Sequence, residues 1–80
     1  MATAILGLPS VLRERGRSRS AHYQDIQRGL FTKPVPIGAR AVGWPDYEVS
    51  AINAARIAGK SDDEIRALVA QLEANRRSPR

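Results

Sequence analysis

The stretch PSVLRERGRSRSAHYQDIQRG, residues 9–29, decides the fold. Pro9 has the fixed φ that suits the first turn of a helix, and Gly16 stands where a left-handed residue ends one. A short helix over Pro9 to Arg15 is therefore predicted, with Val11 and Leu12 facing inward. Ser18 is an N-cap residue and Gly29 a second terminator, so a second helix is expected from Arg19 to Arg28. Only Gly16, Arg17 and Ser18 separate the two. A three-residue connection containing glycine is what a helix-turn-helix uses to cross its helices steeply.

Downstream, Val35 to Ile37 and Arg40 to Trp44 read as short extended segments around Gly38-Ala39, a pair suited to a two-residue type II′ hairpin turn. Pro34 and Pro36 are two apart, so their missing N–H groups fall on one side, which can be an unpaired edge. Pro45 restarts a helix whose first turn carries Asp46 and Glu48 at the positive end of its dipole. Val49, Ile52 and Ala55 form its inner stripe, and Gly59 ends it. Ser61-Asp62-Asp63-Glu64 is a capping box, after which Ile65, Leu68, Val69 and Leu72 recur at i, i+3, i+4 and i+7, one buried helical face. Past Ala74 there is nothing apolar to bury, so residues 76–80 are expected to be a disordered basic tail. The fold expected is mainly α with a small β-hairpin wing: a winged helix-turn-helix over residues 1–58, followed by an amphipathic helix over residues 59–75. That helix packs on the domain or joins two chains in a homodimer through residues 61–74.

Composition narrows the function classes. A chain of 80 residues is one domain, and a domain this small buries only about 60% of its unfolded surface. With no cysteine and a single histidine, His22, neither a disulfide framework nor a thiolate or all-imidazole zinc site can be assembled. No metal or cofactor is expected. The N-terminus lacks the basic n-region of a signal peptide, and no apolar run is long enough to cross a bilayer, so a membrane is not an expected partner and the expected location is the cytoplasm. No phosphate loop and no paired acid-base constellation is present, which makes an enzyme the least supported class and leaves no small-molecule substrate to expect. Ser18, His22 and Asp25 share a helix face, but three side chains on consecutive turns do not converge on a substrate as a triad must.

Charge is more telling. The formal net charge is +5. In residues 1–40, Arg13, Arg15, Arg17, Arg19, Arg28, Lys33 and Arg40 face only Glu14 and Asp25, whereas residues 41–80 carry equal numbers of each sign. An excess confined to one half of a small domain marks a surface that faces a polyanion.

The order helix-turn-helix, hairpin, helix resembles the winged-helix proteins of the MerR superfamily. Leu8-Pro9-Ser10-Val11-Leu12, Ser18-Arg19-Ser20 with Tyr23, Ile26 and Gly29, Phe31 with Lys33-Pro34-Val35, and Arg40-Ala41-Val42-Gly43-Trp44 with Glu48-Val49 are similar to the AlpA family of prophage regulators over about residues 5–58. The resemblance implies a small bacterial or phage protein, associated with the nucleoid, that binds double-stranded DNA in transcription or as an excisionase-like factor. The chain departs from the family pattern at His22, where an aliphatic residue is usual, at Asp25, where another often stands, and at Thr32, where a proline commonly follows the Phe.

In such a fold the start of the second helix enters the major groove. Ser18, Arg19, Ser20, Tyr23 and Gln24 are the candidate recognition residues. Arg13, Arg15 and Arg17, on and after the first helix, are expected to meet the sugar-phosphate backbone, as are Arg28 and Lys33, while Arg40 reaches a minor groove or phosphate from the wing. His22 and Trp44 are expected in the core. Two other readings compete: an arginine-rich RNA-binding arm over residues 13–20 that folds on its target, and the DNA-binding subunit of a phage packaging complex, since small terminases carry a related winged helix.

Overall fold

The computed structural model describes residues 3–77. Along the chain run strand β1 (Ile5–Gly7), helices α1 (Leu8–Arg15) and α2 (Arg19–Gln27), strands β2 (Val35–Pro36) and β3 (Val42–Pro45), and helices α3 (Asp46–Ile57) and α4 (Asp62–Asn75). Four helices around a small antiparallel sheet give a winged-helix-like, mainly α fold, as the sequence predicts. The helix ends follow local chemistry. Gly16 takes φ 66° and closes α1, its N–H and that of Arg17 both donating to the Leu12 carbonyl. Ser18 caps α2 by accepting from the Ala21 N–H, and Ser61 and Glu64 form the reciprocal capping box that starts α4.

The sheet departs from expectation in two ways. It has three strands in the order β1-β3-β2, because Ile5, Leu6 and Gly7 pair with Pro45, Trp44 and Gly43. The first strand was not foreseen. The wing also turns differently: the Ile37 N–H bonds the Ala41 carbonyl, so the loop is Gly38, Ala39 and Arg40, three residues rather than two. Gly38 is not among the glycines with positive φ that a type II′ turn requires. A one-residue slip inverts the faces of a strand, and the register found here keeps Trp44 wholly buried. Arg40 therefore sits in the loop and not on the strand. β2 is an edge strand, and since Ile37 donates inward, strand alternation turns the nitrogens of Pro34 and Pro36 outward. Gly43, in the middle strand, is where both neighbours lean in: a Cβ there would lie 2.6 Å from Ile5 Cγ2 and 2.9 Å from the Leu6 carbonyl oxygen.

One core joins every element but the edge strand β2. Val11, Leu30, Phe31, Trp44, Val49, Ile52, Ile65, Val69 and Leu72 are buried together, with Leu6, Leu8, Ile26 and Leu68 packed against them and only partly covered. Trp44 is pinned by its Nε1–H, which donates to the Thr32 carbonyl at 2.8 Å. Of the apolar stripe of α4, expected to serve either this core or a dimer, Ile65, Val69 and Leu72 are buried in the core of their own chain.

The expected disordered tail needs correction at its first residues. Arg76 caps α4 and grips both carboxylate oxygens of Glu48 at 2.7 and 2.6 Å, while its Nη2 also donates to the Lys33 carbonyl. Glu48 has no solvent exposure, and a buried carboxylate requires such a partner. The partner's hydrogen bond raises the Arg76 pKa. Glu73 accepts from the Lys33 N–H, so α4 is fastened at both polar and apolar surfaces. The rest of the expected tail, residues 78–80, lies outside the described residues.

Ile65 is fully buried and Leu68 is not. Ile65→Ala is expected to cost about 2–5 kcal/mol and Leu68→Ala clearly less. Urea denaturation of both variants measures the difference, and equal losses would contradict this packing of α4.

Candidate nucleic-acid interface

The surface of α2 sorts by helical period. His22 and Asp25 are buried and Ala21 and Ile26 partly so, leaving Ser20, Gln24 and Gln27 as an exposed row at i, i+4 and i+7. Arg19, on the first turn, is exposed beside it, as is Arg28 at the helix end. Tyr23 is half-buried, its ring edge-on to His22 at 5.2 Å between centroids. Among the recognition candidates Ser18 has a local task, since its hydroxyl caps the helix. Gln27 belongs to this row and was not singled out from sequence, although the same i, i+4, i+7 count from Ser20 would have found it. The only acid of α2 is Asp25, and it points inward.

That acid reassigns two of the arginines. Asp25 is 2% exposed and accepts from Arg15 Nη2 at 2.8 Å, from Arg17 Nε at 3.1 Å, and from Arg17 Nη2 through both oxygens at 2.8 Å. The Arg15 side chain is only 3% exposed. Its guanidinium also donates to His22 Nδ1 at 2.8 Å and stacks 4.0 Å over the Phe31 ring. Arg15 is thus an internal tie and not a backbone-contacting residue. A run of alternating arginines looks solvated in sequence, but a buried carboxylate ten residues on has claimed one of them. Arg17 is tied to the same carboxylate while keeping 42% of its side chain exposed.

Of the other candidate cations, Arg13, Arg19, Arg28, Lys33 and Arg40 are all exposed. Arg13 makes a 3.3 Å contact to Ser10 Oγ on its own helix, and Arg28 offers its carbonyl to Arg66 of α4. Lys33 lies before the wing with its backbone held by Glu73 and Arg76, and Arg40 is on the wing loop. Among the described residues no group of three His, Asp or Glu side chains could hold a metal ion, and no helix is long and apolar enough to cross a membrane.

A family model for the prophage CP4-57 regulatory protein (AlpA) matches residues 4–56. The chain belongs to the AlpA family of prophage regulators. It is also 42% identical over 55 residues to the uncharacterized protein ORF88 of Enterobacteria phage P4, a match covering 69% of this chain and 62% of that protein. The chain thus spans less than two thirds of that relative's length. No solved structure matches it. The AlpA match takes in β1, the helix-turn-helix, the wing and nearly all of α3, and leaves α4 outside. Within it, His22, Asp25 and Thr32 are all buried polar residues.

Because Arg15 can only donate, His22 Nδ1 is the acceptor and the ring is neutral, with its other nitrogen buried without a partner among the rings of Tyr23, Phe31 and Trp44. Burial, followed by the positive charge of Arg15, lowers the His22 pKa to about 4. Burial pushes the Asp25 pKa up, but the hydrogen bonds and charges of Arg15 and Arg17 outweigh it and the net shift is downward. The unfolded chain protonates its histidine below its ordinary value of 6.5 while the folded chain does not, so folding stability falls between pH 6.5 and about 4. The slope approaches about 1.4 kcal/mol per pH unit. The contribution of Asp25 is present above 3.8 and is lost at lower pH still, as its depressed value is crossed. His22 is the only histidine, so His22→Leu is expected to flatten the upper window. Urea midpoints at pH 7 and pH 5 check this; an equal pH slope in the variant would refute the neutral buried ring.

Proposed function

We propose that this chain is a sequence-specific double-stranded DNA-binding regulator of a prophage or other mobile element, acting on transcription or as an excisionase-like factor in the bacterial cytoplasm. The observation that carries the reading is the outer face of α2, which is free of acid. Arg19, Ser20, Gln24 and Gln27 project from it, while the helix's one carboxylate is buried and neutralised by two arginines. Such a face suits the major groove, where arginine pairs with the O6/N7 edge of guanine and glutamine with the N6/N7 edge of adenine. The helix start also adds the positive end of its dipole toward phosphate. Docking is MerR-like: α2 lies in the major groove and the wing loop carries Arg40 to the adjacent minor groove or phosphate. Arg13, Arg28 and Lys33 meet the backbone and fix register without reading sequence. The fixing of Arg15 and Arg17 on Asp25 speaks against a free arginine-rich RNA-binding arm. No cofactor enters this scheme.

Two measurements test it. Duplex binding is expected to weaken steeply with salt, because the arginines release condensed counterions, and a flat dependence of log Kd on log salt would sink the proposal. Selection from a random duplex library separates readout from positioning. Arg19→Ala is expected to lose preference at one base step, a discrimination of about 1–3 kcal/mol. Arg13→Ala is expected to weaken all sequences alike, and Arg40→Ala to change the preference for A·T content and groove shape. An unchanged motif for Arg19→Ala would show that the reading end of α2 is wrongly assigned.

A further inference from the structure

A cavity of about 340 Å³ opens between α1, the turn after it and α3, with no α2 residue in its lining. Its lining is Glu14, Arg15, Arg17, Asn53, Arg56 and Ile57. Three guanidinium groups thus share one small opening. Burial lowers the pKa of Arg15, and the like charges of Arg17 and Arg56 add to the shift against the opposing hydrogen bond and charge of Asp25. Asp25 answers Arg15 and part of Arg17. Arg17 gives Nε and Nη2 to it, and Nη1 has no partner among the described residues. Among the described residues Arg56 pairs only with Asp62, at 3.8 Å with both side chains exposed, a pair of little strength. The acid on the rim, Glu14, makes no ion pair among the described residues; its carbonyl is held by Asn53 Nδ2 at 2.9 Å, which fixes α3 against the end of α1. Beside the two cations stands Ile57, 87% exposed, the most exposed large apolar side chain of the described residues.

We propose that this cavity is a phosphodiester site, with Arg17 Nη1 and Arg56 taking the oxyanion and Ile57 packing on the attached sugar. The planar fork of arginine matches phosphate oxygens, and an exposed isoleucine beside it calls for a ligand whose anion is bonded directly to hydrocarbon. The assignment of that phosphodiester to the backbone of a DNA duplex rests on the function proposed above. Arg17 immediately precedes the Ser18 cap of α2, so a duplex entered by that helix start brings its flanking strand toward the cavity. α3 then becomes a third contact element beside the helix-turn-helix and the wing. A free dinucleotide would supply the same chemistry.

The test compares the wild type with Arg56→Gln, Arg56→Lys and Ile57→Asp, on a duplex recovered by library selection and on the dinucleotide TpT. For the duplex, Arg56→Gln is expected to reduce the slope of log Kd against log salt by about 0.9, the loss of one phosphate contact, with the selected sequence unchanged. Arg56→Lys keeps the slope. Ile57→Asp, which sets a carboxylate at the mouth without touching the core, weakens binding in the same sequence-independent way and carries the comparison should Arg56→Gln lose its fold. A wild type that binds no duplex overturns the proposed function, and the site is then judged on TpT alone. A rise in melting temperature with TpT that Arg56→Gln or Ile57→Asp abolishes, with no change in duplex slope, supports the site and assigns it to a free dinucleotide. Folded variants with unchanged duplex slope, together with no TpT effect on the wild type, overturn it.

Discussion

The constraint on which the rest depends is the burial of one carboxylate, that of Asp25. A carboxylate out of water costs several kcal/mol unless charge and hydrogen bonds answer it. Here the answer comes from both sides of the helix-turn-helix: Arg15 from the last turn of α1 and Arg17 from the connection. The three groups can meet only at one crossing of α1 and α2, so the ion cluster fixes the angle at which α2 is presented. An apolar contact would hold the helices together at about the same stability and with less angular definition, since side chains of similar volume repack readily. Removing one member is a different matter. It strands a buried charge, so breaking the cluster costs far more than replacing the whole of it.

The cluster extends into the wing through aromatic rings. Arg15 donates to His22 and lies over Phe31, and His22 packs edge-on against Phe31 and Trp44 with centroids 5.1 and 4.8 Å apart. Trp44 in turn is held by the Thr32 carbonyl. The polar groups buried here act together: His22 and Asp25 supply the acceptors that Arg15 needs, and the backbone carbonyl of residue 32 anchors Trp44. A second polar latch mirrors the first. Glu48 at the start of α3 is held by Arg76 beyond α4, and the same guanidinium holds Lys33 just before the wing.

What the sequence disclosed and what it hid divide along locality. Helix ends were legible because caps act within four residues: Gly16, Ser18, Ser61 and Glu64 do what their neighbours imply. The α4 stripe was legible because its period is its burial. β1 was not, since Ile5, Leu6 and Gly7 become a strand only by pairing with residues some forty positions away, and three residues carry no period of their own. The wing register escaped for a related reason, the burial of Trp44 outweighing the turn preference of Gly38-Ala39. Of the candidate interface, the exposure of Arg19, Ser20 and Gln24 on α2 and of Arg40 on the wing was readable, while Gln27 was missed. The fates of Arg15 and Arg76 were not readable. An arginine that faces water and one that answers a buried acid are written with the same letter, and only the fold reveals Asp25 and Glu48 as the acids in question.

This division bears on how the charge excess works. The raw asymmetry between the two halves of the chain overstates the cationic surface, because Arg15 is spent internally and Arg17 in part. The same spending removes the only negative charge from α2. A solvated Asp25 would put a carboxylate on the helix proposed to enter the major groove, opposing phosphate at short range where screening is weak. Burying it converts an acid that would repel DNA into the post that holds the helix in position. Net charge alone cannot distinguish those two uses of one residue, and it is the geometry of Asp25, more than the number of arginines, that gives α2 an acid-free face.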